Sequence, residues 1–202
     1  MTPFEEFLHW DAKIPGSPAD AVTHLIFRGC LEREIFEKAL FVLLRKIPRA
    51  VQTLRTEENG TAAWETRADV LEKVKLPLGE QFLAWHDEPF VMGTHLLAPL
   101  ALTETPGVRF VVFQDAAAKK TDVLFHFHHV TADAIGSFRF LEELFTVYAG
   151  LAGGEISLED CMPTEAELRR RASFGTLWTD FSLARMMLGV FFRWMNPWKK
   201  KP

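Results

Sequence analysis

The stretch TDVLFHFHHVTADAIGSFRFLEEL, residues 121–144, decides the fold that we expect for this chain of 202 residues. Its first ten residues have the composition and the alternation of a β-strand. Successive side chains of a strand point to opposite faces of a sheet. One face therefore carries Val123, Phe125, Phe127 and His129, and the other carries Leu124, His126, His128 and Val130.

A helix is expected directly after this strand. Thr131-Ala132 is typical of a short turn, and apolar residues then recur at helical spacing from Asp133 to Ala149, before a Gly150 that is typical of a helix C-cap. Two adjacent histidines thus lie at the end of a strand, and Asp133 follows four residues after the second one. At such a junction a side chain can face a cleft while its backbone stays rigid.

The spacing of these residues resembles the HHxxxDG signature of the chloramphenicol-acetyltransferase-like superfamily. That superfamily includes stand-alone acyltransferases and the condensation domains of nonribosomal peptide synthetases. His128, His129 and Asp133 match the signature, Ala134 stands in place of its glycine, and Gly136 lies two residues further on. The resemblance covers residues 4–150, and other segments follow in the family's order: FLHWD at 7–11, a strand and helix at 23–45, the Ile47-Pro48 break, and PLAL to VRFVVF at 99–113.

The resemblance implies an α/β (α+β) two-layer sandwich, in which helices cover one side of a mixed sheet. It also implies a half domain, because the motif of two-lobed members lies in the first lobe. We expect residues 1–155 to form this N-terminal lobe, and residues 156–202 to form a linker and an apolar, basic-ended helical tail. The 73 residues after His129 do not have the pattern of a second lobe. We therefore expect a catalyst that is incomplete by itself.

A neutral imidazole can take a proton from a hydroxyl or an amine at neutral pH. The resemblance assigns this role to His129, with His128 beside it, and makes Asp133 a structural brace that is salt-bridged to an arginine. Arg28 and Arg49 are both candidates for that arginine.

The reaction that the resemblance implies is acyl transfer from a thioester to a hydroxyl or an amine, without a bound cofactor. The thioester is carried by coenzyme A or by the pantetheine arm of a carrier protein. Ala134 and Gly136 are expected beside the substrate. Because Ala134 is larger than glycine, it either narrows the channel or marks a degenerate site.

The remaining pattern predicts further strands and one further helix. Val70–Leu76 is compatible with a strand or a connection. The pattern of Gln81–Leu97 does not decide its secondary structure, because Pro89 and Gly93 argue against one long helix. The expected elements are a strand at 22–27, a helix at 31–46 stopped by Pro48, a hairpin of 50–56 with 61–66 around Asn59-Gly60, and a second hairpin of 108–114 with 122–130.

Composition and charge limit the class of protein. Residues 1–164 carry 15 Lys and Arg against 24 Asp and Glu, whereas residues 165–202 carry 8 against 3. An acidic body with a basic tail argues against a nucleic-acid-binding domain, whose basic charge lies on its folded face. Cys30 and Cys161 form no disulfide framework, and no signal peptide or membrane-spanning run is visible. We therefore expect a cytoplasmic location.

Two alternatives to acyl transfer remain. His126 and His128 share a strand face, and with Asp133 they superficially resemble a hydrolase metal site, but the order is wrong and no histidine follows His129. No metal is therefore expected. The second alternative is an inactive, truncated lobe that serves as a binding or assembly module, which Ala134 favours.

The segment from Phe174 to Trp198 is rich in apolar side chains and is followed by Lys199–Lys201. A basic-ended amphipathic helix can lie in a membrane interface. Packing of these residues on this lobe or on a second lobe is favoured, because the apolar and polar faces are not cleanly separated. An isolated lobe would expose the apolar surface that meets a second lobe, so we expect self-association or binding of a second lobe. Peripheral contact with a membrane surface stays open as the alternative.

Overall fold

The computed structural model describes Glu5, His9 and residues 19–56, 62–65, 72–93 and 97–164. In chain order the elements are β1 (Asp20–Arg28), α1 (Arg33–Lys46), a 3-10 turn (Pro48–Ala50), β2 (Leu54–Thr56), β3 (Ala62–Trp64), β4 (Leu83–His86), β5 (Val108–Asp115), β6 (Lys120–His128), α2 (Ala134–Ala152) and α3 (Leu158–Cys161).

The main sheet has four strands in the order β1-β6-β5-β4. β6 is antiparallel to both β1 and β5, whereas β4 is parallel to β5. Both α1 and α2 contribute to one hydrophobic core with the sheet. The expected α+β sandwich with a mixed sheet and a helical layer is therefore confirmed.

The core lies on the face of β6 that carries its odd-numbered apolar residues. Phe125 is fully buried there, and its ring stacks on Phe110 at 4.7 Å and on Phe140 of α2 at 5.5 Å between ring centres. From α1, Phe36 and Leu40 enter the same core because they lie four residues apart on one helical face. The opposite face of the sheet has a smaller cluster around Phe113 and Leu124.

Most of the expected elements are present. The hairpin of β5 and β6 pairs Val108 with Phe127, and β2 pairs with β3 through Thr56 and Ala62. The segment 81–97, whose secondary structure the sequence did not decide, contains β4. Among residues 72–76 the structure has a short helical turn and no strand.

The helix α2 extends past the expected end. Gly150 lies inside it, and Gly153 is its C-cap residue. A Cβ atom on Gly150 would lie 2.5 Å from Cδ1 of Ile156. The glycine thus makes room for the chain that returns after the helix, and it does not end the helix.

A second, two-stranded sheet surrounds a buried carboxylate. Glu65 follows β3, and its oxygens accept hydrogen bonds from the Thr53 hydroxyl at 3.0 Å and from Arg55 Nη2 at 2.8 Å. Lys73 also pairs with it. Burial raises the pKa of the Glu65 carboxyl, but the bonds from Lys73, Thr53 and Arg55 outweigh this and hold the pKa below its ordinary value.

Residues up to Pro163 belong to one compact unit. Within it, the short helix α3 contributes Leu158 and Cys161 to the periphery of the core. The lobe boundary after residue 155 stays a prediction, and the tail expected at 174–201 lies outside the described residues. Among the described residues, no helix is both long enough and apolar enough to cross a membrane.

Candidate functional site

The two motif histidines lie where β6 ends. His128 is the last residue of the strand, and it lies opposite Asp20, the first residue of β1. The next residue, His129, donates its backbone N–H to the carbonyl oxygen of Ala19 at 2.7 Å. The neighbouring strand also holds the turn, because His128 N–H donates to the carbonyl of Gly107 at 2.9 Å. The backbone at the histidines is therefore fixed from both sides.

Asp20 is the carboxylate that holds this strand end. Its Oδ2 accepts the backbone N–H of Leu100 at 2.7 Å and lies 3.2 Å from Nε2 of His126, while its Oδ1 lies 3.8 Å from Nε2 of His128. Burial raises the pKa of the Asp20 carboxyl, but the bonds from His126 and Leu100 and the nearby imidazoles lower it below its ordinary value. Asp20 is therefore ionised at neutral pH and joins β1, β6 and the segment before β5.

His128 is buried and has protein groups at both of its ring nitrogens. Its Nδ1 accepts the backbone N–H of Val130 at 3.1 Å, and its Nε2 faces Asp20. Burial lowers the pKa of His128; the Asp20 charge opposes this shift, and His9, His129 and His126 add to it. The imidazole is therefore neutral at pH 7, with Nδ1 as acceptor and the proton on Nε2, and its place is structural.

His129 differs from its neighbour. It is half-buried, and its ring meets the ring of Phe127 edge-on at 5.5 Å between centres. Neither ring nitrogen of His129 forms a hydrogen bond to a residue in the part of the chain that the structure describes. Within the described residues, the ring of His129 is therefore positioned by its backbone and by Phe127. Its role as a base stays a prediction.

Asp133 has a structural role different from the expected salt bridge. It is exposed and is the N-cap residue of α2, where its Oδ1 accepts the N–H of Gly136 at 2.6 Å. No ion pair joins it to any described residue. Arg28 is the last residue of β1, about 27 Å along the strand from Asp20, which lies at the end of β1 beside the motif histidines. Arg49 lies 3.6 Å from Glu5 and 4.2 Å from the ring centre of Trp64.

The two residues expected near the substrate lie in the first turn of α2. Ala134 is exposed and helical, so this position does not need the positive φ that a glycine would allow. A Cβ atom on Gly136 would come within 3.0 Å of Oδ1 of Asp133. Gly136 therefore has a local explanation, which is room for the capping carboxylate. Contact of either residue with a substrate stays a prediction.

Sequence reasoning missed Asp20 and Gly107. A Cβ atom on Gly107 would lie 1.8 Å from Oγ1 of Thr131, so with Thr131 in its present position glycine is needed for the turn after His129 to pack against the start of β5. Asp20 lies just before the strand predicted at 22–27, and this position does not identify the strand opposite. Among the described residues, no group of three or more His, Cys, Asp or Glu has an arrangement that could hold a metal ion.

The comparisons with known proteins identify the fold. No family model matches the chain, and no curated protein does. Among solved structures, SgcC5 from Streptomyces globisporus is 21% identical with a TM-score of 0.55, over 74% of this chain and 36% of its own. The first condensation domain of the calcium-dependent antibiotic synthetase is 18% identical with a TM-score of 0.57, over 76% of this chain and 38% of its own.

A variant of the starter condensation domain of rhizomide synthetase RzmA matches over the whole chain. It is 13% identical with a TM-score of 0.60, and the match covers 48% of that domain. The chain therefore has the condensation-domain fold of the chloramphenicol-acetyltransferase-like type. It spans between about a third and a half of the length of the solved structures that it matches.

Proposed function

We propose that this chain is the half of a condensation-type acyltransferase that carries the general base, and that His129 is this base. The contrast between the two adjacent histidines carries the proposal. Buried His128 has its nitrogens directed at Val130 N–H and at Asp20, whereas half-buried His129 has its backbone held by a hydrogen bond to Ala19 and its ring nitrogens bonded to none of the described residues. The likeness to condensation domains supports acyl transfer as the type of chemistry.

The proposed step needs a single proton acceptor. A ring nitrogen of His129 takes the proton from the acceptor's hydroxyl or amine while that oxygen or nitrogen forms a bond to the thioester carbonyl carbon. The tetrahedral intermediate then breaks its carbon–sulfur bond, and the thiolate takes the proton back from the imidazolium. The products are an ester or an amide and the free thiol of coenzyme A or pantetheine, with no acyl-enzyme.

We further propose that turnover needs a second half, supplied by the same longer protein or by a separate chain. A general base contributes about 10²–10⁴ in rate, and the rest comes from holding the reactants and stabilising the oxyanion. The solved structures that share the fold are two to three times as long as the matched region.

The test uses the chain together with whatever polypeptide its coding region supplies downstream, incubated with acetyl-CoA and longer acyl-CoA thioesters and with hydroxyl and amine acceptors. Release of free thiol and formation of acylated acceptor are measured. His129→Ala is expected to lower turnover by about 10²–10⁴ with an unchanged circular dichroism spectrum. Turnover by the His129→Ala protein that equals wild type would refute the assignment.

A second candidate function is favoured by the geometry of Asp133. This carboxylate caps α2 through Gly136 and pairs with no arginine among the described residues, and Ala134 follows it. A lobe that has lost catalysis but keeps its fold would act as a binding or assembly module. Absence of turnover with every acyl-CoA, combined with stable binding of a second half, would favour this function over the first.

A further inference from the structure

The strand β1 forms one edge of the main sheet. β6 lies on its inner side, and no strand of the described residues pairs with its outer side. β1 is nine residues long and contains no proline, bulge or lysine that would block pairing. Two of its apolar side chains project into solvent, with Val22 exposed by 49% and Ile26 by 60%. This edge is suited to adding another strand.

The hydrogen bonds to β6 determine which backbone groups remain for such a strand. The carbonyl of Ala19 accepts from His129 N–H, and the N–H of Gly29 donates to the carbonyl of Lys119. In an antiparallel ladder alternate residues bond to the same neighbour. The odd-numbered residues of β1 therefore bond to β6, and the N–H and C=O groups of Asp20, Val22, His24, Ile26 and Arg28 point outward.

The side chains of these five residues are complementary to the same five side chains on a second copy of β1 that runs in the opposite direction. If two β1 strands run antiparallel with His24 on the two-fold axis, Val22 lies opposite Ile26 of the partner subunit. Asp20 lies opposite Arg28 of the partner subunit. Each outward-pointing residue then faces another outward-pointing residue, which an antiparallel ladder requires. About ten backbone hydrogen bonds follow, two for each of the five pairs.

We propose that β1 is a self-association surface, through which two copies of this chain form one continuous eight-stranded sheet. The register centred on His24 is favoured by its pairs. A shift by one pair in either direction places Asp20 or Arg28 opposite an apolar residue of the partner subunit, and it separates Val22 from Ile26. Opposite charges and apolar pairs across strands stabilise a sheet. A two-fold axis makes each such pair occur twice.

This interface goes beyond the proposed function and does not depend on it. The two candidate sites would lie at opposite ends of the β1 pair, about 27 Å apart from Asp20 to Asp20 along the strands. Asp20 keeps its bonds to Leu100 and His126, and Arg28 of the partner subunit adds a charge–charge contact at the rim.

The first test is sedimentation equilibrium of the full chain over a range of concentrations. Wild type is expected to sediment at twice the mass of one chain. Ile26→Lys places a charge in the interface twice, and we expect it to raise the dimer dissociation constant at least about a hundredfold. Met92→Lys is the matched control, because Met92 is 82% exposed and lies outside β1. A monomeric wild type, or a dimer that persists equally in Ile26→Lys, would overturn the proposal.

A second test reads the register. In the double variant Val22→Cys and Ile26→Cys, with exposed Cys30 replaced by serine, each new cysteine faces its counterpart at a Cα separation of about 5.5 Å, within the range for a disulfide. Mild oxidation should give a covalent dimer, whereas each single variant should give none. Cross-linking by either single variant would contradict the register centred on His24. No cross-linking by the double variant would contradict the pairing itself.

Discussion

Replacement of Asp20 by asparagine tests how the strand end that carries the motif histidines is held. Asp20→Asn keeps one oxygen acceptor and removes the charge. The amide oxygen can keep the Oδ2 position and accept from Leu100 and His126 as a weaker, uncharged acceptor, and the N–H₂ group then takes the Oδ1 position and no longer attracts His128. A hydrogen bond to a charged group contributes about 1.5–3 kcal/mol. We expect a loss of about 2 kcal/mol, or about 4–8 °C in Tm for a domain of this size.

The pH dependence follows from the lowered pKa of Asp20. A carboxyl whose pKa is lower in the folded than in the unfolded protein stabilises the fold at pH values above its pKa in the unfolded protein, which is about 3.9. This stabilisation is lost as the pH falls through the pKa that the carboxyl has in the folded protein. The difference in Tm between wild type and Asp20→Asn should therefore be full at pH 7 and shrink below about pH 4.

The chain offers a matched control in Asp122. This carboxylate is 3% exposed, accepts from His24 at 2.8 Å, and pairs with Lys120 on the same two strands, but it lies about 20 Å from Asp20 along them. Asp122→Asn should cost similar stability. The charge of Asp20 raises the pKa of His128, so Asp20→Asn should lower the pKa of His128 and Asp122→Asn should not.

Imidazole nitrogen NMR through a pH titration measures this difference. The His128 signal should remain that of a neutral ring to lower pH in Asp20→Asn than in wild type and in Asp122→Asn. An unchanged His128 titration in Asp20→Asn, or an equal change in both variants, would refute the reasoning that Asp20 holds this histidine.

Three further predictions concern stability and are checked by thermal unfolding. Glu65→Gln should lower stability by about 1–3 kcal/mol at pH 7, and this loss should shrink as acid protonates the wild-type carboxyl, whose pKa is lowered; a loss that is constant down to pH 3 would contradict it. Gly107→Ala should destabilise the fold because its Cβ meets Thr131, and the cost should be smaller in a Thr131→Ala background; equal costs would show that the contact is unimportant. Gly150→Ala should fail to give the usual helix gain of about 1 kcal/mol unless Ile156 is also shortened to alanine; a full gain in the single variant would refute the close contact.

The strands and helices that carry the candidate site were predictable because their signals are local. Alternation in residues 121–130 requires only that one face of a strand is buried, and it identified β6 to within two residues at each end. The apolar spacing of α1 and the Asn59-Gly60 turn signal between β2 and β3 are local in the same way. The motif spacing was sufficient to indicate the condensation-type fold, which the solved structures confirm.

What the sequence by itself determined, then, is where most of the strands and the two long helices lie, and which strand ends in two histidines. Only the tertiary structure decided what those histidines contact. Asp20 reaches His126 across 106 residues of chain, and nothing in the strand pattern states that β1 pairs with β6 so that Asp20 lies opposite His128. The place of Gly150 inside α2 likewise depends on the return of Ile156. Pairing and packing between distant segments depend on the shape of the whole core, whereas periodicity depends on the nearest few residues.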